Sequence, residues 1–461
     1  MAAEPFLLPD RPVASLDEYR AAGGGQALDK AQRLGPGPTI KEITLSGLRG
    51  RGGGGFPTGR KWDSIHRADG GRHYAVCNAA EGEPATFKDR ALLRANPYQA
   101  VEGLAVAALC VGADSAYVGV KASFEIELAA VARAVQEMDA AGMLAGLSVT
   151  VVAGPDEYLF GEEKAMLEVI EGKDPLPRLF PPFQHGLFTT GPVQGWESSA
   201  GATSSEPQSN PTLVNNVETL SNVPHILNRG AEWYRSIGTA QSPGTVCCTV
   251  VGDVARPAVV EVEMGTPLAD VVDRCGGPLP GRRHKAAFSG VANPVVVPER
   301  FATPLSYEHM QAAGTGLGAA GFAFYDDTAC MVEVARAFSR FLYVESCGQC
   351  PSCKFGCDEV TGLLERIEDG RGSEDDVESI GARLRGVTDQ VRCYLATEEQ
   401  LVVASILREF PEEFAEHLEG RCRVGTRRPI LVPKVVDLVD GTVTYDERQA
   451  RKQPDWTYAE S

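Results

Sequence analysis

The chain has 461 residues, of which 43% are hydrophobic and 23% are charged, and its formal net charge is −18. This composition is typical of a globular protein with two to four domains. The acidic balance argues against nucleic acid and against a membrane surface as partners.

The start of the chain lacks the basic and apolar regions of a signal peptide, and the most apolar run, residues 103–113, is too short to span a bilayer. The twelve cysteines are too few and too unevenly placed for a secreted disulfide scaffold. We therefore expect a cytoplasmic protein with no direct membrane insertion, in which clustered cysteines serve metal or redox chemistry.

Residues 47–62, the glycine-rich segment, are the first stretch with recognisable chemistry. Seven of the thirteen residues in the range 47–59 are glycine, which disfavours helix and strand because each glycine adds backbone entropy that folding must overcome. Bare backbone can close around phosphate oxygens or a planar cofactor, and Arg49, Arg51 and Lys61 supply positive charge. We predict a non-helical nucleotide or flavin cradle. The alternative is a flexible linker, although linkers combine Gly with Ser and not with Arg.

Two predicted strands end in polar residues. Residues 73–78 have a buried-strand pattern and lead through the polar residues 79–90 into a helix. Residues 147–152 form another strand, which precedes Glu162 and Glu163 at a helix start. Open α/β sheets bind ligands at such strand ends, whereas the alternative for these acids is a solvated helix N-terminus.

Residues 189–210 are rich in Gly, Ser, Thr and Pro, which predicts a surface insertion or mobile loop. Structure resumes at residues 213–220, where Asn215 and Asn216 indicate a turn or, as the alternative, a ligand contact. Strands at 244–252 and 259–264, followed by a helix at 267–274, suggest a small β-grasp-like domain.

The period becomes helical from residue 328 onward and predicts a small helical bundle. Its expected helices are 328–344, 359–368, 373–384 and 401–418, the last with a break at Pro411. After Gly420 a hairpin of residues 435–439 and 442–445 is expected around Asp440 and Gly441.

Cys347, Cys350 and Cys353 follow one another at equal three-residue steps, directly after one predicted helix and before the next. This spacing converges three sulfurs on one point, so a fourth ligand must come from elsewhere. Cys393 is our choice and Cys357 is the competitor. Three close thiols plus a distant one favour a [4Fe–4S] cluster over zinc, whose structural sites usually come as two separated pairs.

A flavin-type cradle and an iron–sulfur cluster in one chain imply electron transfer. Over these stretches the sequence resembles the flavoprotein subunit of complex I, the NADH-oxidising F chain of NADH:quinone oxidoreductase, and its relatives in NAD-linked hydrogenases and formate dehydrogenases. The matching stretches occur in the family's order and are residues 50–61, 78–90, 161–163, 215–220 and 345–353 with Cys393.

The resemblance implies an α/β fold in four parts. These are a Rossmann-like FMN- and NADH-binding domain at 1–240 with the insertion at 189–210, a β-grasp, SLBB-like domain at 241–310, a four-helix [4Fe–4S] domain at 325–420, and a C-terminal tail at 421–461. It also implies an NADH dehydrogenase that passes electrons from FMN through the cluster to a ferredoxin-like or other iron–sulfur protein subunit. The flavin carries the chemistry, so no catalytic side chain is expected.

The site residues are carried over position by position. The FMN phosphate and ribityl chain are assigned to Gly50, Arg51, Gly52, Gly53 and Lys61. The rest of the flavin pocket is assigned to Asn78, Glu81, Gly161, Asn215, Asn216 and Thr219, and Glu162 is assigned to cofactor binding in general. Contacts to NADH are assigned to Phe56, Glu83 and Glu163. The cluster ligands are Cys347, Cys350, Cys353 and Cys393.

The sequence departs from the family pattern mainly on the dinucleotide side. Ala80 stands where the family has Asp, Ser64 where a second Phe is usual, Phe180 where Lys is common, and Lys164 where a small hydroxyl residue follows. These departures indicate a divergent stand-alone member of the family. Two other functions stay open, a flavo-iron–sulfur carrier that no longer oxidises NADH and a structural subunit that keeps only the cluster.

Overall fold

The computed structural model describes residues 5–190, 209–424 and 428–459. The chain divides into two compact units. The first holds the described residues up to Gly82 with Lys88–Cys247 and Glu261–Gly265, and the second holds the remaining described residues. Within the described part of the chain, no helix is long and apolar enough to cross a membrane. Most of the insertion predicted at 189–210 lies outside the described residues.

The first unit alternates strands and helices. Its strands are β1 (Tyr74–Ala79), β2 (Ser115–Lys121), β3 (Ser148–Gly154) and β4 (Thr212–Asn216). Its helices are α1 (Leu16–Ala21), α2 (Gln26–Leu34), α3 (Pro36–Ser46), α4 (Thr58–His66), α5 (Lys88–Ala95), α6 (Pro97–Val111), α7 (Glu125–Ala140), α8 (Glu163–Ile170), α9 (Val217–Arg229) and α10 (Ala231–Arg235).

The four strands form a parallel sheet in the order β3-β2-β1-β4. The chain runs outward from β1 through β2 to β3 and then returns to the other side of β1 for β4. In open α/β sheets such a reversal leaves a crevice at the carboxyl ends of the two central strands, where ligands bind. Asn78 in β1 and Asn216 in β4 are register partners at that edge. The predicted Rossmann-like fold is confirmed.

Helix α6 contains most of the apolar run at 103–113. It is buried along nearly its whole length, as expected for a helix that is apolar on all sides. A Cβ at Gly103 would lie 2.1 Å from the carbonyl oxygen of Leu220 in α9, so only glycine lets the two helices pack this closely. The run is a core helix of the first unit.

The glycine-rich segment is only partly non-helical. Helix α4 begins at Thr58, so the prediction of a non-helical stretch up to residue 62 is wrong for its last five positions. Pro57 is the N-cap of this helix, and no glycine follows Gly59 before it ends at His66. Lys61 therefore lies on the first turns of a helix and not in the loop.

A second sheet has the order β6-β5-β8-β7, with β5 parallel to β8 and β7 antiparallel to it. The strands are β5 (Thr245–Gly252), β6 (Ala258–Glu263), β7 (His284–Ser289) and β8 (Gly321–Asp326), and the helices beside them are α11 (Leu268–Arg274) and α12 (Tyr307–Ala312). The two predicted strands and the predicted helix are confirmed. Strand β8 follows residue 310, so the sheet continues past the boundary predicted for this domain.

The helical region comprises α13 (Met331–Glu345), α14 (Pro351–Glu368), α15 (Glu374–Leu384), α16 (Leu395–Glu409) and α17 (Pro411–Leu418). The predicted break at Pro411 is confirmed, and Ser373 and Asp376 form a capping box at the start of α15. Helix α14 begins at Pro351 and not near residue 359, because the fixed φ of proline suits the first helical position. The bundle thus has five helices where four were expected.

The predicted hairpin near the C-terminus is confirmed as β9 (Val435–Val439) and β10 (Thr442–Tyr445). Asp440 and Gly441 connect the strands with φ values of 49° and 75°. Positive φ at both central residues is the geometry of a type I′ turn, which Asp-Gly favours.

Candidate functional site

The glycine-rich loop, residues 49–57, is closed by hydrogen bonds across its base. The Gly50 N–H donates to the carbonyl oxygen of Phe56 at 2.8 Å, and Arg49 Nε donates to the carbonyl oxygen of Gly55 at 2.7 Å. Gly53 has a φ of 117°, which side chains disfavour. The loop therefore keeps a defined shape while presenting bare backbone.

This loop lies against the ligand-binding edge of the first sheet. A Cβ at Gly52 would lie 3.1 Å from Cβ of Asn216, at the end of β4. Asn78, at the end of β1, donates from Nδ2 to the carbonyl oxygen of Gly161 at 2.7 Å. A Cβ at Gly161 would lie 3.0 Å from the carbonyl oxygen of Ala80. Backbone free of side chains thus surrounds the crevice between β1 and β4.

Arg51 points away from this crevice. Its guanidinium donates to the Tyr234 hydroxyl at 3.2 Å and to the carbonyl oxygens of Pro243 and Thr245 at 3.1 and 3.0 Å. Its N–H donates to Thr219 Oγ1 at 2.8 Å, and the residue is 2% exposed. Arg51 and Thr219 therefore anchor the loop, and the positive charge expected at a phosphate is absent from the Arg51 position.

Asn215 and Glu81 also make internal contacts. Asn215 Oδ1 accepts a hydrogen bond from Trp62 Nε1 at 2.8 Å, which fixes α4 to the end of β4. Glu81 accepts from the Asp89 N–H and from Arg90 Nε, both at 3.0 Å. These two predicted pocket residues position neighbouring elements.

A buried ion network that sequence reasoning missed underlies the crevice. Lys88 Nζ lies 2.8 Å from Asp89 and 2.9 Å from Glu218, and all three side chains are buried. Asn216 Nδ2 donates to Asp89 Oδ2 at 2.6 Å, so the network holds the asparagine at the end of β4. The run of charged residues directly after Phe87 was the available signal.

Lys61 is a partly exposed cation on the first turns of α4. Its Nζ pairs with Glu163 Oε2 at 2.7 Å, and both side chains are partly exposed. The Phe56 ring is 51% exposed, and the Arg60 guanidinium lies 5.9 Å from its centroid. An aromatic ring and charged groups beside bare backbone suit a planar, phosphate-bearing ligand.

Glu162 and Glu83 are held by backbone N–H groups. Glu162 is the N-cap of α8 and accepts from the N–H groups of Lys164 and Ala165 at 2.8 and 2.9 Å, and burial raises its pKa to about 7. Glu162 thus lies at a helix N-terminus, as the alternative interpretation expected, but its carboxylate is buried and not solvated. Glu83 belongs to the second unit, where its carboxylate accepts from the Val291 N–H at 2.7 Å.

The positions that depart from the family pattern differ in burial and in their contacts. Ala80 is fully buried in the core around Val76, and Ser64 is exposed on α4. The Phe180 ring stacks on His185 with centroids 4.6 Å apart. Replacing a carboxylate by Ala80 thus leaves an apolar residue inside the first unit.

In the second unit, three of the predicted metal ligands cluster at the start of α14. Cys347 follows the end of α13, Cys350 is the N-cap of α14, and Cys353 lies in its first turn. Gly348, with a φ of 79°, permits the turn between the helices. All three cysteines are half-buried. They occupy a helix N-terminus, where thiolates are stabilised.

Polar groups hold this turn in place. Lys354 Nζ donates to the carbonyl oxygens of Tyr343 and Ser346 at 3.2 and 2.9 Å. Gln349 Nε2 donates to Cys347 Sγ at 3.6 Å. Donors to sulfur around an iron–sulfur cluster tune its potential.

Cys393 lies in the loop between α15 and α16, and α14 packs closely against that loop. A Cβ at Gly356 would lie 2.8 Å from the side chain of Val387. Burial raises the pKa of Cys350 to about 11, and the charge of Arg392, beside Cys393 in the sequence, acts to lower it. The loop that carries Cys393 is therefore a neighbour of the three-cysteine turn.

Cys357 has another partner. It is fully buried, and its side chain interacts with that of Cys353. This interaction lowers the pKa of Cys353 and, together with burial, raises the pKa of Cys357. Cys357 is thus occupied by an interaction with one of the three cysteines of the turn.

The residues present fit both implied groups. The Thr58 hydroxyl, at the N-terminus of α4, is buried and has no hydrogen-bond partner among the described residues. It lies next to the exposed glycine backbone and one turn from Lys61, where a phosphate would be favoured. Three cysteines at three-residue spacing with a neighbouring fourth suit an iron–sulfur cluster.

Three protein-family models match the chain in order. The Nuo51 FMN-binding domain matches residues 43–225, the SLBB domain matches residues 248–288, and the NADH-ubiquinone oxidoreductase-F iron-sulfur binding region matches residues 333–417. These matches agree with the parallel sheet, the second sheet and the helical region. The fold and site define a component of an oxidoreductase that contains flavin and an iron–sulfur cluster.

Several known proteins are similar over most of the chain. The F 2 subunit of NADH-quinone oxidoreductase from Rhizobium meliloti is 38% identical over 91% of this chain and 98% of its own. The HndC subunit of the NADP-reducing hydrogenase from Solidesulfovibrio fructosivorans is 31% identical over 88% of this chain and 81% of its own. The chain belongs to the family of NADH-quinone oxidoreductase F subunits.

A solved structure shares the fold. The crystal structure of an NAD⁺-reducing [NiFe]-hydrogenase in the H₂-reduced state has a chain that matches with a TM-score of 0.76 and 29% identity, over 89% of this chain and 67% of that one. These relatives are named as parts of larger oxidoreductases. That this chain works outside a respiratory complex stays a prediction.

Proposed function

We propose that the chain is the NADH-oxidising module of an electron-transfer enzyme. When bound, FMN accepts a hydride from NADH and the [4Fe–4S] cluster takes the electrons onward one at a time. The chain binds and orients these groups. The observation that carries the proposal is the bare glycine backbone held against Asn216 at the reversal point of the parallel sheet.

The flavin phosphate is assigned to the N-terminus of α4. The backbone of Gly50, Gly52 and Gly53, the Thr58 hydroxyl and the Lys61 ammonium would hold it. Bare backbone allows the close approach that a side chain would block, and the helix N-terminus favours negative charge. Arg51 is assigned an indirect role, because it fixes the glycine-rich loop and its guanidinium does not reach the crevice.

The isoalloxazine ring is assigned to the carboxyl ends of β1 and β4. Asn78 and Asn216 lie at these strand ends with their amide groups fixed by internal hydrogen bonds, and Asn215, Thr219 and Glu81 hold the surrounding elements in place. Gly161 leaves room beside Asn78. On the open side, Phe56 offers a ring for the adenine of NADH, and Glu163 lies next to Lys61.

The electron acceptor is an iron–sulfur protein that docks at the cluster. Cys347, Cys350, Cys353 and Cys393 are assigned as the cluster ligands, and each is half-buried. Large apolar side chains adjoin them in the sequence and are strongly exposed, namely Phe355 at 67%, Val391 at 51% and Tyr394 at 56%. Exposed apolar patches of this kind mark interaction sites, and this one would place the partner at the cluster.

Anaerobic addition of NADH to the reconstituted holoprotein tests the proposal. We expect stoichiometric FMN and bleaching of the flavin absorbance by NADH. Bound flavin that dithionite reduces but NADH does not would favour the flavo-iron–sulfur carrier. A protein that holds the cluster and binds no flavin would favour the structural subunit.

A further inference from the structure

A second group of metal ligands lies at the other end of α13. Cys330 Sγ, a ring nitrogen of His417 and Cys422 Sγ all lie within 4.8 Å of one another. Cys330 Sγ and His417 Nε2 are 3.3 Å apart. Cys330 and His417 are buried at 2% and 1% exposure, and Cys422 is half-buried.

The fold brings these residues together although 87 positions separate Cys330 from His417. Cys330 is the N-cap of α13, and His417 lies in the last turn of α17. Gly420, with a φ of 72°, reverses the chain after α17 and brings Cys422 back to the histidine. Three separate local structures thus present their ligand atoms to one point.

Glu413 links the same two helix ends, the start of α13 and the end of α17. One turn before His417 on α17, its Oε2 accepts from the Met331 N–H at 2.9 Å, and its Oε1 pairs with Lys285 at 2.5 Å. The carboxylate therefore fixes the end of α17 to the start of α13. Both of its oxygens are engaged, so it does not compete for an ion.

The spacing and chemistry point to one ion. Zn²⁺ binds thiolate at about 2.3 Å and imidazole at about 2.0–2.1 Å, so tetrahedral ligands are about 3.6 Å apart for S and N and about 3.8 Å apart for S and S. The 3.3 Å between Cys330 and His417 and the 4.8 Å limit for the group fit this geometry. Two sulfurs and an imidazole select zinc over Mg²⁺ or Ca²⁺, which take oxygen ligands.

We propose that Cys330, His417 and Cys422 bind a structural zinc ion that joins the start of α13 to the end of α17. A thiol–imidazole hydrogen bond would account for Cys330 and His417 alone, whereas the convergence of Cys422 on the same point needs a further cause. Water or another group completes the coordination.

This site is separate from the iron–sulfur cluster. Helix α13 has 15 residues, and Cys330 precedes it while Cys347 follows it. At 1.5 Å per residue the helix is about 22 Å long. Loss of the zinc is therefore expected to leave the cluster and the flavin in place. If the zinc proposal is wrong, the proposed oxidation of NADH is not affected.

Elemental analysis and zinc K-edge X-ray absorption of the anaerobically purified holoprotein test the assignment. We expect about one zinc per chain, with two sulfur neighbours at about 2.3 Å and a nitrogen neighbour at about 2.0–2.1 Å. Cys422→Ser should lose most of the zinc, or one sulfur neighbour, while the iron and FMN contents stay at the wild-type level. Cys330→Ser should show the same loss of zinc. Because Cys330 is buried, this variant could fail to fold, and the Cys422→Ser variant then tests the proposal alone.

Cys275→Ser is the matched control, because Cys275 is a buried thiol at the end of α11 and should leave zinc unchanged. Three results would overturn the proposal. In the first, wild-type protein binds no zinc after incubation with Zn²⁺ and removal of the excess. In the second, the Cys422→Ser protein has the wild-type zinc content and an unchanged X-ray absorption spectrum. In the third, the intact mass of the protein shows a Cys330–Cys422 disulfide.

Discussion

Replacing Cys393 by alanine is expected to abolish the [4Fe–4S] cluster while FMN stays bound and reducible by NADH. Three thiolates at the start of α14 leave one iron of the cube without a protein ligand, and Cys393, in the loop before α16, is the residue assigned to that position. We expect the brown absorbance and the iron content to fall to background. Electron transfer to an iron–sulfur acceptor should be lost, while flavin bleaching by NADH continues.

Cys357→Ser is the control for this prediction, because it separates Cys357 from Cys393 as the fourth cluster ligand. Cys357 is the alternative ligand, yet it is fully buried and its side chain interacts with that of Cys353. A serine hydroxyl can still form a hydrogen bond there, so the cluster should persist. If the Cys357 variant loses its iron and the Cys393 variant keeps it, the assignment of the fourth ligand is wrong.

Lys61→Met is expected to weaken FMN binding about 10- to 150-fold, because charge-assisted hydrogen bonds contribute about 1.5–3 kcal/mol. Lys61 is a partly exposed cation on the first turns of α4, whereas Arg51 is buried in internal contacts. The substitution also leaves the Glu163 carboxylate without its partner at 2.7 Å, close to the assigned phosphate. Fluorescence titration of the flavin-free protein with FMN measures the dissociation constant.

Lys41→Met is the matched control, since Lys41 is an exposed lysine on α3. Its FMN affinity should equal that of the wild type. The iron content of both variants reports whether the second unit is intact. Wild-type affinity in the Lys61 variant would refute the assignment of the phosphate to the N-terminus of α4.

Local patterns in the sequence predicted much of the fold. The period of apolar residues indicated α13 and α15, Asp440-Gly441 indicated the hairpin, and the cysteine spacing marked the cluster turn. These features depend on neighbours within a few residues, so a single sequence carries them. Helix α14 starts earlier than its apolar period predicts, because the fixed φ of Pro351 suits the first helical position.

The direction of individual side chains could not be predicted in the same way. Arg51 stands among glycines and resembles a phosphate ligand in sequence, yet distant carbonyl groups at Pro243 and Thr245 draw its guanidinium inside. The convergence of Cys330 with His417 likewise depends on how α13 packs against α17. Such contacts are determined by tertiary packing, and the spacing of residues in the sequence does not predict them.

Electron flow from NADH through FMN to the cluster is tested most directly by stopped-flow absorbance and rapid-freeze EPR of the wild-type holoprotein mixed anaerobically with NADH. The flavin should bleach first, and the signal of a reduced [4Fe–4S] cluster should then appear without any other reductant. A flavin that bleaches while the cluster stays oxidised until dithionite is added would contradict electron flow from NADH through FMN to the cluster.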